Sequence, residues 1–219
     1  MHLSKRLQKI ASLIDETDTF IYDVGCDHAL LDIYLAQKYN NLKFCASDVS
    51  SKCIAKAKEN IALFKMNDRI NTLVNYGLEG IQLEKNATIV ISGMGSHTII
   101  DILTGVNLDN CKKIIVQANN DLPYLRRQIV KKGFKIVEEK VVYDKKFYVV
   151  ITFEPGVKRY NNVEYQFGPQ LLLNKDHYID YFKFLYEQTD CLLAKVPTIK
   201  LKKRFKLKRE LKILKKVIR

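Results

Sequence analysis

The feature that most constrains the fold is a strand-like apolar run that ends in an acidic turn with one glycine. Residues 20–24 form this run, and Gly25-Cys26-Asp27-His28 follow it. A helix-like segment comes next, and a second strand-like run then ends at Asp48. In α/β proteins, ligands bind in the crevice outside the carboxyl ends of such strands. We therefore expect Asp23, Gly25 and Asp48 to line a nucleoside-binding crevice.

The composition of this turn distinguishes between two kinds of nucleoside cofactor. A dinucleotide site carries three glycines, which let backbone N–H groups approach a pyrophosphate. Here Asp27 stands where the second glycine would be, and its carboxylate would repel a pyrophosphate. It would attract the sulfonium and ammonium groups of S-adenosylmethionine. We therefore expect S-adenosylmethionine as the cofactor, with Asp48 on its ribose, and a nicotinamide dehydrogenase is disfavoured.

The acidic residues and His28 also have structural interpretations. In the structural interpretation, Asp23 is a turn or capping aspartate. Asp48, which is followed by Val49-Ser50, is then a turn residue before the next helix, and Ser50 is the N-cap of that helix. We favour ligand roles for both because two acids end adjacent strands. His28 is a candidate base near neutral pH, but a hydrogen bond to Asp27 explains it equally well.

Strand-like and helix-like segments alternate over the first two thirds of the chain. The predicted strands are 19–24, 42–48, 70–75, 87–92 and 113–118, and the predicted helices are 4–14, 29–39, 50–65, 96–104 and 121–132. This alternation predicts an α/β fold with a mostly parallel sheet and helices on both faces. Two further β-rich runs, 134–143 and 147–154, form a predicted hairpin. Five parallel strands followed by this hairpin are typical of the seven-stranded, Rossmann-like sheet of class I methyltransferases.

Pro155-Gly156 marks the predicted boundary between a catalytic domain, 1–156, and a helical region, 157–219. Two helical patterns in this region lie on either side of Pro197, with apolar positions Tyr178, Phe182, Leu185 and Leu192, then Leu207, Leu211, Leu214 and Ile218. The second set recurs at heptad-like spacing. We expect the two helices to form an antiparallel, coiled-coil-like hairpin.

Positive charge is concentrated at the end of the chain. The formal net charge is +13, and residues 200–219 hold eleven Lys or Arg and one Glu. Such concentration favours a polyanionic partner, although a solvated lysine-rich tail is the alternative. The candidate RNA-binding residues are Lys202, Lys203, Arg204, Lys206, Lys208 and Arg209.

Composition excludes several other classes of protein. None of the 219 residues lies in an uncharged apolar run of about 18, so no membrane span is expected. The apolar block at 10–14 is too short for a signal peptide. The five cysteines are scattered without a Cys-x-x-Cys pair, which indicates reduced thiols and no zinc. We expect a cytoplasmic monomer without a metal.

Three later loops carry further candidate site residues. Tyr76-Gly77 follows the third strand, where this fold holds the cofactor adenine; an ordinary turn is the alternative. Gly93-Met94-Gly95 follows the fourth strand, where methyltransferases present the acceptor atom, and its glycines let the backbone pass close to a ligand, unless they serve packing alone. Asn119 could pair with a base edge, but Asn119 or Asn120 could equally cap the next helix.

The Gly-Met-Gly loop also bears on the acceptor atom. Enzymes that methylate exocyclic amines often carry Asn-Pro-Pro-Tyr or Asp-Pro-Pro-Tyr here, whose carbonyl groups bind the amine. This chain has Ser92-Gly93-Met94-Gly95 instead. A ring nitrogen has an available lone pair and needs no such clamp, so the acceptor is expected to be a ring nitrogen.

The chain resembles the bacterial tRNA adenine-N1 methyltransferases that act on adenine 22. The motifs that carry the resemblance are Leu3-Ser4-Lys5-Arg6-Leu7, Asp23-Val24-Gly25-Cys26-Asp27-His28-Ala29, Gly77-Leu78, Ser92-Gly93-Met94-Gly95, Gln117-Ala118-Asn119 and Phe147-Tyr148. The family usually has another glycine where Ser96 stands. The resemblance implies a Rossmann-like catalytic domain, S-adenosylmethionine, and a helical C-terminal region that helps to hold tRNA.

The resemblance places Asp48 where members of the family have an acid for the ribose, and a hypothetical mechanism assigns roles to the other candidate residues. The expected cofactor-binding set is Asp23, Gly25, Asp27, Asp48, Val49, Tyr76, Gly77, Gly93, Met94 and Gly95. Asp27 is expected to stabilise the cationic adenine, and Asn119 and His28 to orient the base. The rival interpretations are a methyltransferase for another RNA base or a protein, and a non-catalytic RNA-binding protein that keeps the fold.

Overall fold

The computed structural model describes residues 3–219, and these form two compact units divided after Gln166. Residues 157–166 therefore belong with the sheet, although the sequence suggested a boundary at 156. Two contacts explain the difference. The Tyr160 hydroxyl donates to the carbonyl of Ile136 at 3.2 Å and accepts from its N–H at 2.9 Å. The Arg126 guanidinium donates to the carbonyl of Tyr165 at 3.1 Å.

The first unit is built on one seven-stranded sheet. Its strands are β1 (Phe20–Val24), β2 (Lys43–Asp48), β3 (Ile70–Val74), β4 (Ala87–Met94), β5 (Cys111–Ala118), β6 (Phe134–Asp144) and β7 (Lys146–Pro155). Their spatial order is β3-β2-β1-β4-β5-β7-β6, and β7 runs in the opposite direction to the other six strands that the structure describes. The predicted parallel strands, terminal hairpin and class I methyltransferase sheet are confirmed.

The order of the strands fixes where a ligand can bind. The chain moves from β1 outward to β2 and β3, then returns so that β4 pairs with the other side of β1. A crevice opens at such a switch point, outside the carboxyl ends of β1 and β4. The acidic turn and the Gly-Met-Gly loop therefore reach the same edge of the sheet.

Five helices cover this sheet, namely α1 (Lys5–Ala11), α2 (Leu30–Lys38), α3 (Ser51–Leu63), α4 (Ser96–Thr104) and α5 (Leu122–Lys131). Because both faces are covered, Ile89, Val90 and Ile91 of β4 are all fully buried. Helix α1 is shorter than the predicted 4–14, since the N–H groups of Leu13 and Ile14 bond to carbonyls three residues back.

The helix caps confirm one expectation and correct another. Ser50 caps α3, because its hydroxyl accepts from Cys53 N at 3.3 Å. The cap of α5 is Asp121, which accepts from Tyr124 N at 3.3 Å, so neither Asn119 nor Asn120 caps that helix. The Asn120 carboxamide instead accepts from Ser96 N at 2.9 Å, at the start of α4.

The remaining helices are α6 (Asn162–Phe167), at the boundary, and α7 (Pro169–Leu173), α8 (Ile179–Lys195) and α9 (Leu201–Ile218) in the second unit. Helices α8 and α9 pack together as the predicted hairpin. Leu207 and Leu214, one heptad apart on α9, are buried, as is Phe182 on α8. Among residues 3–219, no helix is long and apolar enough to cross a membrane.

Candidate functional site

The loop after β1 lies directly against the end of β4. Gly25 has φ +77°, and its N–H and that of Cys26 both donate to the Ser47 carbonyl, at 2.8 and 3.0 Å. A Cβ on Gly25 would lie 2.2 Å from the Met94 methyl group. Any side chain here would displace Met94 and strain the backbone. The acidic turn and the Gly-Met-Gly loop thus form one site.

Asp48 connects the acidic turn to the end of β2. Its Oδ2 accepts from Asp27 N at 3.3 Å, and its Oδ1 accepts from Ser50 N at 2.9 Å. An ionised carboxylate accepts about four hydrogen bonds, so each oxygen keeps capacity for a further donor. The half-buried Asp48 can therefore bind a diol, and the exposed Val49 lies next to it.

Two carboxyl groups are buried together behind the turn. Asp23 on β1 is 5% exposed and Asp32 on α2 is fully buried. Burial is the main cause that raises the pKa of Asp23 to about 6; the charge of Asp48 adds to it, while a hydrogen bond from Asp32 and the Arg6 charge oppose it. Burial and the Asp23 charge raise the pKa of Asp32 further. The buried pair therefore disfavours two simultaneous negative charges.

The turn that carries Asp27 and His28 has an unusual backbone. Asp27 and Ala29 have φ +53° and +55°, a region that costs a β-carbon residue free energy. The exposed Asp27 carboxylate lies 3.4 Å from His28 Nε2. The predicted Asp27–His28 contact is thus present, and the Asp27 side chain faces solvent.

The end of β4 is joined to β5 by side-chain amides. Gly93 N donates to Gln117 Oε1 at 3.1 Å, and Asn119 Nδ2 donates to the Gly93 carbonyl at 2.6 Å. The backbone N–H of Asn119 donates to the Met94 carbonyl at 2.8 Å. Asn119 therefore lies at the predicted acceptor loop. The buried Ser96 hydroxyl donates to the carbonyls of Asn120 and Asp121, so it is occupied by backbone acceptors of the loop after β5.

Tyr76 and Gly77 follow β3, the strand at the sheet edge. Gly77 has φ +62°, and a Cβ there would lie 2.8 Å from Ile102 Cγ1 on α4. Gly77 therefore permits close packing of the loop on α4. The Tyr76 ring is 64% exposed, and it is available to a ligand.

Comparison with known proteins agrees with this geometry. Residues 3–151 match the family described as methyltransferase domain. This chain belongs to that methyltransferase family. A Mycoplasma genitalium protein assigned as a tRNA methyltransferase is 29% identical over 87% of this chain and 86% of its own.

Two of the solved structures that resemble the whole chain hold the cofactor or its product. The M. capricolum methyltransferase TrmK in complex with S-adenosylhomocysteine is 28% identical, with a TM-score of 0.86 and 100% of both chains covered. A Streptococcus pneumoniae protein, assigned as a tRNA (m1A22) methyltransferase and bound to S-adenosylmethionine, is 26% identical, with a TM-score of 0.85 and the same coverage. The resemblance to the bacterial tRNA adenine-N1 methyltransferases is confirmed.

Sequence reasoning missed two residues of this methyltransferase domain. Asp32 lies in the apolar segment Leu30-Leu31-Asp32-Ile33 of α2. An acidic residue inside an apolar run is unusual, and this pattern could have indicated a buried carboxyl group. Arg6 donates through Nη1 to Gln117 Oε1 at 2.7 Å. Arg6 lies far from Gln117 along the chain, so no local sequence pattern predicts this contact.

The candidate RNA-binding residues all lie on α9 of the second unit. Five of them are exposed, namely Lys202, Lys203, Lys206, Lys208 and Arg209. The sixth, Arg204, is half-buried and donates through Nη1 to the carbonyls of Leu193 and Val196, at 3.1 and 2.6 Å. Arg204 therefore satisfies carbonyls at the end of α8 and stabilises the hairpin.

Proposed function

We propose that this methyltransferase transfers the methyl group of S-adenosylmethionine to N1 of adenine 22 in tRNA. The observation that carries the proposal is the pair of acidic strand ends, Asp23 and Asp48, beside the Gly-Met-Gly loop in a methyltransferase sheet. Relatives that resemble the whole chain support both the cofactor and the substrate.

The residues of the crevice fit a cationic cofactor. A neighbouring cation would stabilise the ionised form of Asp23. The ammonium and sulfonium groups of the cofactor are such cations. The assigned roles are Asp48 on the ribose, Val49 and Tyr76-Gly77 around the adenine, and Gly25 with Met94 around the methionine portion. When bound, the cofactor supplies an electrophilic methyl group on a positively charged sulfur.

The acceptor base occupies the space beside Gly93-Met94-Gly95. An adenine inside a helix cannot present N1, so the base must be extruded from the tRNA. Neutral adenine carries no proton on N1, and its lone pair needs no general base. Asp27, exposed at the crevice, stabilises the positive charge that develops on the ring, and Asn119 and His28 orient the base. Such orientation can supply roughly 7–11 kcal/mol of the barrier reduction.

The second unit contributes binding to tRNA through α9. Its five exposed candidate residues carry positive charge, and phosphate neutralisation by Lys and Arg dominates affinity for nucleic acids. We assign catalysis to the first unit and tRNA binding to the second unit, which begins at Phe167 rather than at the predicted residue 157. The protein acts as a cytoplasmic monomer in this proposal.

The proposal is tested by incubating the protein with labelled S-adenosylmethionine and unmodified tRNA. After incubation, the tRNA is digested to nucleosides, and 1-methyladenosine is the expected product. Another methylated nucleoside or a methylated protein indicates a methyltransferase for a different substrate. Cofactor binding with no methylated product favours a non-catalytic RNA-binding protein, and either result contradicts the proposal.

A further inference from the structure

A directional chain of hydrogen bonds runs behind the acceptor loop. Arg6 Nη1 donates to Gln117 Oε1 at 2.7 Å, and Gln117 Nε2 donates to Asn119 Oδ1 at 3.2 Å. Asn119 Nδ2 then donates to the carbonyl of Gly93 at 2.6 Å. The chain starts on helix α1 and ends beside the proposed position of the acceptor base.

The groups at the ends of this chain fix its direction. A guanidinium and a backbone N–H can only donate, and both the Arg6 Nη1 and the Gly93 N–H point at the same atom of Gln117. That atom must therefore be the oxygen, which leaves the Gln117 NH₂ group to face Asn119. The Gly93 carbonyl can only accept, so it requires the NH₂ group of Asn119. The Asn119 amide cannot flip without losing both of its bonds.

Arg6 is itself held in place on several sides. Its backbone N–H donates to Asp144 Oδ2 at 3.4 Å, and its guanidinium carbon lies 5.6 Å from the centre of the Tyr148 ring. A Cβ on Gly93 would lie 3.1 Å from Arg6 Nη1, so the glycine leaves room for the guanidinium. Gln117 is fully buried, which makes an unmade bond there costly.

The exposed end of the chain presents a defined pattern to a base. Asn119 is exposed, and its oxygen retains one lone pair after accepting from Gln117. Adenine carries a donor, its 6-amino group, next to N1, whereas guanine carries an acceptor, O6, at that place. A carboxamide held with its oxygen available accepts from adenine and repels guanine.

We propose that Arg6 and Gln117 are positioning residues that lock the Asn119 amide so that its oxygen accepts a hydrogen bond from the 6-amino group of the target adenine. This inference rests on the proposed function. It gives Arg6 and the buried Gln117 a part in choosing adenine over guanine, although neither residue needs to touch the base.

The positioning role is tested by changing one residue of the enzyme and one group of the substrate, separately and together. In Gln117→Glu, the new carboxylate still accepts from Arg6 and Gly93 but cannot donate to Asn119. The substrates are full-length tRNA with adenine 22 and the same tRNA, made by ligation, with purine 22, which lacks the 6-amino group. The lower intrinsic reactivity of purine affects both enzymes equally and cancels in the ratio of their kcat/KM values.

The wild type is expected to lose about tenfold more activity than Gln117→Glu when purine replaces adenine. Gln82→Glu is the matched control, because Gln82 is exposed in the segment between β3 and β4, and it should behave as the wild type. Equal losses in wild type and Gln117→Glu would overturn the positioning role. A wild type inactive on adenine 22 would instead overturn the proposed function.

Variants of Arg6 keep the test decisive if Gln117→Glu does not fold. Arg6→Met removes the donor to Gln117, whereas Arg6→Lys retains one. Arg6→Met should lose the sensitivity to purine 22, and Arg6→Lys should recover part of it. Cofactor affinity should stay within about threefold of wild type in Arg6→Lys. If Arg6→Met keeps the full wild-type sensitivity to purine, the proposal is wrong.

Discussion

The crevice of the sheet and the last helix of the chain carry opposite charges. Asp23, Asp27 and Asp48 cluster at the ends of β1 and β2, whereas α9 exposes at least five Lys or Arg side chains. The net charge of +13 conceals this separation. Each sign suits a different ligand, because a cationic cofactor prefers the acids and a polyanionic RNA prefers the lysines. The two regions should therefore respond independently to mutation.

The largest expected effect concerns the basic helix. Replacing Lys202, Lys203, Lys206, Lys208 and Arg209 with glutamine should weaken tRNA binding by about 100-fold at low salt and reduce the salt slope by roughly 2–4. Arg204 is kept because it caps α8. Filter binding over a salt series measures both quantities. An unchanged slope would mean that the helix is only a solvated surface.

The next largest effect concerns the ribose ligand. Asp48→Ala should weaken S-adenosylmethionine binding by about 30-fold, since charge-assisted hydrogen bonds to the ribose are lost. Isothermal titration calorimetry measures the affinity, and tRNA binding should be unchanged. Asp68→Ala, at an exposed position before β3, is the matched control. Near-native cofactor affinity in Asp48→Ala would remove the ribose assignment.

Cofactor affinity should also depend on pH through Asp23. Its folded-state pKa is raised to about 6, so it is ionised at pH 7 and mostly protonated at pH 5. A cationic ligand binds the ionised form, and affinity should fall about tenfold from pH 7 to pH 5. Calorimetry across this range checks the fall. Asp23→Asn should bind weakly at both pH values, and an equally steep fall in that variant would assign the titration to another group.

The smallest effect is on stability. A carboxyl group with a raised folded-state pKa stabilises the protein at low pH, and this contribution is lost as pH rises through that pKa. Asp32→Asn removes the ionisable carboxyl group from this buried position and keeps its size. It should raise the melting temperature at pH 8 by roughly 2–4 °C, with a smaller gain near pH 4. Thermal unfolding at both pH values measures this, and a lower melting temperature at pH 8 would contradict the raised pKa of Asp32.

The sequence was sufficient for the parts of the fold that depend on local pattern. The strands, the hairpin and the acidic turn follow from periodicity and from residues such as Gly25 and Asp48. The caps of α4 and α5 were predicted wrongly or not at all, because Asn119, Asn120 and Asp121 are adjacent candidates and only tertiary packing selects among them.

Contacts between distant parts of the chain could not be predicted. Arg6 meets Gln117 only because α1 packs beside β6 and β7 at the edge where β5 ends. The raised pKa values of Asp23 and Asp32 depend on burial between β1 and α2, and a linear sequence gives no measure of burial. Charge on Arg204 suggested RNA binding, whereas its geometry shows a helix cap.

The position of the transferred methyl group tests the account most directly. Two unmodified tRNAs that differ only in adenine or guanine at position 22 are incubated with the protein and S-adenosylmethionine, and their fragments are analysed by mass spectrometry. The account predicts one added methyl group at position 22 of the adenine form and none on the guanine form. Methylation of both forms, or of another position only, would contradict it.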